Sequence, residues 1–134
     1  MRVSEQIEDF ERAVVELGPR PLVVLGSSLS PDGRFGAALT LLPTANDYVM
    51  NDVYERTGDG WKDYGGGNGD IQWLVLAEDG RGVLTFGGEA PPEATVARIS
   101  YEGRQHLAPV RHGHFFFVSW NTPYEEEPKL LDFG

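Results

Sequence analysis

Aromatic and polar side chains gather around a glycine-rich segment in the middle of the chain, and this mixture suits binding chemistry. Residues 57–70 contain six glycines. The side chains around them are Tyr54, Glu55, Arg56, Trp61, Asp63, Tyr64, Asn68, Asp70 and Trp73. Glycines let a backbone approach a ligand closely, and aromatic side chains interleaved with charges are typical of contact surfaces. We therefore predict that any contact surface lies here; the alternative is that Trp61 and Trp73 only anchor a long loop.

Three histidines, His106, His112 and His114, raise the question of a metal site. The dipeptides Glu102-Gly103 and His112-Gly113 predict two-residue hairpin turns. This geometry separates His106 from the other two histidines by about 20 Å, at ~3.3 Å per residue along a strand. The chain also has no cysteine to complete a zinc site. The sequence thus predicts no metal ligand and no cofactor.

Patterns that specify a catalytic site are missing from the sequence. There is no GxSxG nucleophile motif, no phosphate-binding GxxxxGK[ST] motif, and no GxGxxG spacing in the glycine-rich segment. Aspartate and glutamate are plentiful, but nothing in the sequence singles out one pair for acid-base work. We expect a protein without enzymatic activity.

The charge balance disfavours several classes of partner. The formal net charge is −10, so phosphate backbones and anionic lipid headgroups would be repelled. The excess acid lies in residues 4–17, 51–70 and 122–134. Two explanations stay open: these faces are simply solvated, or they dock onto a basic partner protein. The sequence therefore predicts no nucleic acid and no membrane among the partners.

An amphipathic helix is predicted over residues 4–17, because apolar side chains recur there at steps of three and four. The residues of this stripe are Val3, Ile7, Phe10, Val14 and Leu17. Ser4 can cap the start of the helix, and Gly18-Pro19 ends it. We expect the stripe to be buried against a β core; docking into a partner's groove is the alternative.

From residue 21 onward, short apolar runs alternate with turn residues, which predicts a β-rich body over 21–134. Ser30-Pro31-Asp32-Gly33 predicts a tight turn. Glycine and proline together number 26, which favours an antiparallel β-sandwich over a helical bundle. Segment 57–70 is interpreted as the longest loop. At 134 residues, the chain has the length of a single domain.

The two predicted hairpin turns fix the register of a three-stranded meander near the C-terminal end. One face of it should be core, carrying Ala97, Ile99, His106, Ala108, Val110, Phe115 and Phe117. The opposite face carries Arg98, Phe116 and Trp120, which form a second candidate contact surface. We expect that face to be covered by the N-terminal helix or presented to a partner. Pro109 could shift the register beyond it by one residue.

Several short motifs resemble a group of small uncharacterised bacterial proteins from high-GC genomes. The motifs of the central segment are Glu55-Arg56, Asp59-Gly60-Trp61, Gly67-Asn68-Gly69, Trp73 and Gly88-Glu89-Ala90-Pro91. Those of the C-terminal segment are Pro109-Val110, Gly113, Phe115, Val118, Trp120 and Pro123. The resemblance implies an immunoglobulin-like arrangement of the C-terminal half and carries no functional residues with it.

Taken as a whole, the sequence predicts a non-catalytic protein–protein interaction domain. An acidic inhibitor or immunity-type protein that neutralises a basic partner is one form of it. The alternative is a domain that binds a small ligand or a carbohydrate through the aromatic, glycine-rich loop 57–70. With no cysteine and no apolar run of about 18 residues, we expect it in the cytoplasm.

Overall fold

The computed structural model describes residues 3–19, 21–44 and 47–134. Within these ranges the chain forms one helix, α1 (Val3–Leu17), and ten β-strands. The strands are β1 (Val23–Leu29), β2 (Phe35–Leu42), β3 (Tyr48–Thr57), β4 (Gly60–Gly67), β5 (Ile71–Val75), β6 (Gly82–Glu89), β7 (Val96–Tyr101), β8 (Arg104–Arg111), β9 (His114–Thr122) and β10 (Lys129–Phe133). All strand pairings are antiparallel. The predicted mainly β class with one N-terminal helix is confirmed.

The chain divides into two compact units, residues 1–69 and residues 70–134. The first unit contains α1 and a four-stranded sheet in the order β1-β2-β3-β4. The second contains a six-stranded sheet in the order β10-β7-β8-β9-β6-β5. Each unit has a hydrophobic cluster made of its own residues. That residues 1–134 fold as a single domain remains a prediction.

In the first unit, α1 packs on the sheet through part of its apolar stripe. Phe10 and Val14 are fully buried and form a cluster with Val24, Ala38 and Tyr54. The expectation that Leu17 is buried is wrong, because its side chain is 55% exposed at the end of the helix. Val15 packs on the cluster instead, so the docked face is rotated away from the last residue of the predicted stripe.

The interpretation of residues 57–70 as a long loop is also wrong. Strand β4 occupies most of this segment and pairs with β3 through a two-residue turn between Thr57 and Gly60. Glycine is a poor strand former, but here close packing requires it. A β-carbon on Gly66 would collide with the backbone oxygen of Asn51 and with the carboxylate of Asp52. The glycines of β4 therefore allow close contact with β3.

In the meander of the second unit, β7 and β8 pair in the register that the sequence predicts, whereas β8 and β9 pair in it only next to their turn. Glu102 and Gly103 have φ angles of 53° and 73°, and His112 and Gly113 have 53° and 76°, as hairpin turns of type I′ require. Tyr101 pairs with Arg104, and Arg111 pairs with His114. The pairing of β7 with β8 continues to Pro109 without a shift.

The six-stranded sheet of the second unit folds over its own core in a sandwich-like way. Phe115 of β9 contacts Phe133 of β10 at a ring-centroid distance of 6.0 Å, although three strand pairings separate these strands in the sheet. The buried side chains of this core are Leu84, Ala97, Ile99, Tyr101, Ala108, Phe115 and Phe117. This list contains five of the seven predicted core residues; Val110 packs against the cluster, and His106 is half-buried against the Phe117 ring.

In the described part of the chain, the helix is too short and too polar to cross a membrane.

Candidate functional site

The main concave feature of the first unit is a groove with a volume of about 920 Å³. Its walls are one side of α1, the turn between β1 and β2, and the turn between β3 and β4. The lining residues are Gln6, Asp9, Arg12, Ala13, Glu16, Leu17, Ser30, Pro31, Asp32, Gly33, Arg34, Arg56, Gly58, Asp59, Gly60 and Trp61. Four carboxylates and three guanidinium groups thus surround a small apolar area.

The helix wall carries acidic side chains beside two apolar ones. Asp9 is held in an ion pair by Arg12, with 2.9 Å between Oδ1 and Nη1. Glu16 makes no ion pair or hydrogen bond with any other described residue. Ala13 and the exposed Leu17 line the same wall. This wall therefore combines a free carboxylate with an apolar contact.

The turn between β1 and β2 is fixed by its own side chains, as the predicted Ser30-Pro31-Asp32-Gly33 turn requires. Gly33 N donates to Ser30 O at 2.9 Å and has a φ of 74°. The Ser30 hydroxyl donates to Asp32 Oδ1 at 2.7 Å, and Arg34 N donates to the same oxygen at 3.0 Å. These two hydrogen bonds hold the pKa of Asp32 below its usual value. The Asp32 carboxylate therefore already accepts hydrogen bonds within the turn.

At the turn between β3 and β4, Arg56 and Trp61 form a stacked pair. The Arg56 guanidinium carbon lies 4.6 Å from the centre of the Trp61 ring. Arg56 Nε also donates to Gly33 O at 3.0 Å, which ties the two hairpin turns together. On the helix side, the Trp61 ring contacts Phe10 at a centroid distance of 4.8 Å. Trp61 thus joins the groove to the core of the unit.

Of the nine side chains in the predicted binding set, only Arg56 and Trp61 line the groove. Tyr54 is buried beneath α1, where its ring meets the edge of Phe10 at 5.7 Å. Burial is the main factor that raises the pKa of Tyr54, and the carboxylates of Asp52 and Asp63 raise it further. Tyr54 is therefore a core residue.

Other members of the predicted set lie on the opposite face of the first sheet. Glu55 forms an ion pair with Lys62, with 3.5 Å between Oε1 and Nζ. Tyr64 lies at a bulge of β4 and meets the edge of the Phe35 ring at 5.5 Å. Residues that are close in sequence thus separate onto two faces, because side chains alternate along a strand. Asp63 is exposed on β4, where it pairs with Tyr54 across the two strands.

The remaining predicted residues are not part of this site. Asn68 is exposed in the link that follows β4, and Asp70 belongs to the second unit. Trp73 also lies in the second unit, half-buried against the Tyr124 ring at 5.5 Å. Within the first unit, the predicted residues are therefore divided between the core and the two faces of the sheet.

The second candidate surface is also divided by the structure. Phe116 is 5% exposed, so its side chain is covered and is not presented to a partner. Arg98 is exposed and paired across strands with Asp132, with 2.8 Å between Nε and Oδ1. Trp120 is half-buried. The most exposed apolar side chain of this region is Leu107, at 70%, which pairs with Arg98 across the strands.

The histidines lie as the hairpin register predicts. His112 occupies its turn, and its backbone oxygen lies 3.1 Å from Nδ1 of His114. Nε2 of His106 lies 3.3 Å from the backbone oxygen of Tyr101. Among the residues that the structure describes, no three histidine, aspartate or glutamate side chains are grouped so that they could hold a metal ion.

One carboxylate, Asp52, stands out electrostatically but lies outside the groove. It is 6% exposed on β3, on the same face as Tyr54. Burial, with a further contribution from the Asp63 carboxylate, raises the pKa of Asp52 to about 6. Asp52 does not line the groove, so its charge bears on the stability of the unit.

Among the groove residues that the sequence analysis missed are Leu17, Glu16, Arg34 and Asp59. Leu17 was assigned to the core because it continues the apolar stripe of α1. The other three lie at a helix end or in tight turns, where no period marks which direction a side chain faces. The sequence predicted the turn between β1 and β2, which forms one wall of the groove, but not the turn between β3 and β4, because residues 57–70 were interpreted as one loop.

No protein family, curated protein or solved structure matches this chain.

Proposed function

We propose that this chain is a cytoplasmic, non-catalytic protein–protein interaction domain and that the groove is its contact surface. The observation that carries the proposal is Leu17, a large apolar side chain that is 55% exposed in the wall of a cavity. An apolar side chain in a concave, charge-rimmed position is what a docking partner can bury. The stacked Arg56 and Trp61 add the residue types that dominate binding energies at interfaces.

The shape of the groove favours a protein segment as its occupant. One wall is a helix and the other two are hairpin tips tied to each other by the hydrogen bond from Arg56 to Gly33. Such a rigid frame lowers the entropic cost of binding an extended or helical segment. An acidic inhibitor or immunity-type role is one form of this function, supported by the net charge of −10.

A small-ligand or carbohydrate-binding role is the second candidate, and the cavity volume favours it. About 920 Å³ lies within the ~300–1,000 Å³ typical of ligand pockets. A sugar ring, however, would need an open aromatic face, and the guanidinium of Arg56 already lies over Trp61. Protein binding is therefore the function that the groove supports better.

Photo-crosslinking from single positions tests this proposal. A photoreactive amino acid is placed at Leu17 or Asp59, within the groove, and at Val75 or Leu107 as exposed controls in the second unit. After irradiation in living cells, we expect the groove positions to yield a discrete protein adduct that the control positions do not yield. Circular dichroism of each purified variant checks that the fold is retained.

Two outcomes would contradict the proposal. One is the absence of any protein adduct from both groove positions in folded variants. The other is the same adduct pattern from groove and control positions, which would show that contacts are non-specific. A thermal shift with a small molecule, abolished by Leu17→Asp, would instead favour the ligand-binding role.

A further inference from the structure

We propose that the groove binds a partner segment in which an arginine or lysine lies next to an apolar side chain. This inference rests on the proposed function and names the chemistry of the partner. The apolar side chain would pack against Leu17 and Ala13, and the cation would face the carboxylates of Glu16 and Asp59. All four residues line the same cavity.

The three arginines of the groove already contact other groups of the first unit. Arg12 is paired with Asp9 at 2.9 Å. Arg56 is stacked on Trp61 and donates to the Gly33 backbone oxygen. The Arg34 guanidinium carbon lies 5.5 Å from the centre of the Phe35 ring. An acidic segment would therefore have to compete with Asp9 for Arg12 and with the Gly33 oxygen for Nε of Arg56.

Two of the four groove carboxylates have a partner among the described residues, and two do not. Asp9 is held by Arg12, and Asp32 accepts hydrogen bonds from the Ser30 hydroxyl and the Arg34 amide. Glu16 and Asp59, by contrast, have no ion pair or hydrogen bond with another residue of the described ranges. Their charges are free to select a basic group and to reject an acidic one.

The acidic residues around the groove create a negative electrostatic field. The exposed side chains of Glu5 and Glu8 extend the acidic surface of α1 beyond the groove wall. The chain as a whole carries −10, so a basic segment is attracted from a distance and an acidic one is repelled. Because this attraction acts through solvent, salt should weaken it.

A peptide selection tests the inference on the intact chain. Random peptides displayed on phage are selected against the folded protein at low salt, and the bound sequences are compared with the unselected library. We expect enrichment of an arginine or lysine beside a large apolar residue. A synthetic peptide of the enriched sequence should lose about tenfold in affinity for the double variant Glu16→Lys with Asp59→Lys.

The control variant combines Glu78→Lys with Glu93→Lys, two exposed acidic residues of the second unit. It changes the net charge equally, so its affinity for the peptide should fall by less than about threefold through the screened long-range field. Melting curves of both double variants show whether they are folded. A groove variant that fails to fold is replaced by Glu16→Gln with Asp59→Asn, which should weaken binding in the same direction.

The remaining outcomes separate this inference from the proposed function. If selected peptides are acidic or uncharged, or if removing both groove charges leaves the affinity unchanged, the basic specificity is overturned. If Leu17→Asp still weakens binding in that case, the groove remains the contact surface. If Leu17→Asp also has no effect, or if no peptide is enriched, both the basic specificity and the assignment of the groove as the contact surface are overturned.

Discussion

Replacing Phe10 with alanine is expected to lower the free energy of unfolding of the first unit by about 3–5 kcal/mol. Phe10 is fully buried and contacts both Tyr54 and Trp61, at centroid distances of 5.7 and 4.8 Å. Its removal leaves a cavity between helix and sheet that these two rings cannot close without moving. Urea unfolding followed by circular dichroism measures the change, with Leu17→Ala as the matched variant on the same helix.

Because Leu17 is more than half exposed, its replacement should cost less than about 1 kcal/mol. Equal losses for the two variants would contradict the packing described for α1. Gly36→Ala examines the same contact from the sheet, since a β-carbon there would lie 2.5–2.8 Å from three atoms of the Phe10 ring. Overpacking of this kind costs about 1–3 kcal/mol.

The variant Asp52→Asn is expected to stabilise the protein at neutral pH. The folded state raises the pKa of Asp52 from 3.8 to about 6, so ionisation of this carboxyl group opposes folding. The penalty begins as pH rises above the unfolded value, grows up to the folded value, and is complete above about pH 6. Two pH units correspond to at most ~3 kcal/mol, and we expect a gain of about 1–3 kcal/mol at pH 7.5.

The pH dependence distinguishes this effect from a simple packing change. At pH 3 and below, Asp52 is largely protonated in both states, because its unfolded pKa is 3.8, so the advantage of Asp52→Asn should disappear. Asp63→Asn should recover part of the gain, because the Asp63 carboxylate contributes to the raised pKa. The exposed Asp59→Asn serves as the control and should show no such gain. A constant gain from pH 4 to pH 8 would contradict the electrostatic explanation.

The C-terminal meander could be predicted from the sequence because its register depends on local turn chemistry. Glycine at the second position of each two-residue turn allows the positive φ angles found at Gly103 and Gly113. Once both turns are placed, each further pair follows along the strands. Between β7 and β8, Pro109 causes no shift and pairs with Val96. The pairing of β8 with β9 extends no further than Val110, the residue after Pro109.

Strand β4 could not be predicted because its formation depends on packing and not on local preference. Glycine, aspartate and lysine are all depleted in strands, and they occupy every position of β4 except those of Trp61 and Tyr64. What favours the strand is the close approach of Gly66 to Asn51 and Asp52. Strand β10 was not predicted either, because it is short, lies at the edge of its sheet and follows an acidic run.

Only part of the candidate site could be predicted from the sequence. Arg56 and Trp61 were identified from residue type, since both are frequent in contact surfaces. Their companions on α1 and on the β1–β2 turn are distant in sequence, and only the tertiary fold brings them together. Leu17 shows the limit most clearly, because a helical period cannot tell where the supporting sheet ends.

The most direct measurement of the central claim is a map of amide chemical shifts when the selected peptide is added to the isotope-labelled chain. The account predicts that the largest shifts fall on Ala13, Glu16 and Leu17 of α1 and on the tips around Gly33 and Asp59, with small changes elsewhere. Shifts centred instead on Arg98 and Leu107 of the second unit, with the groove amides unchanged, would contradict it.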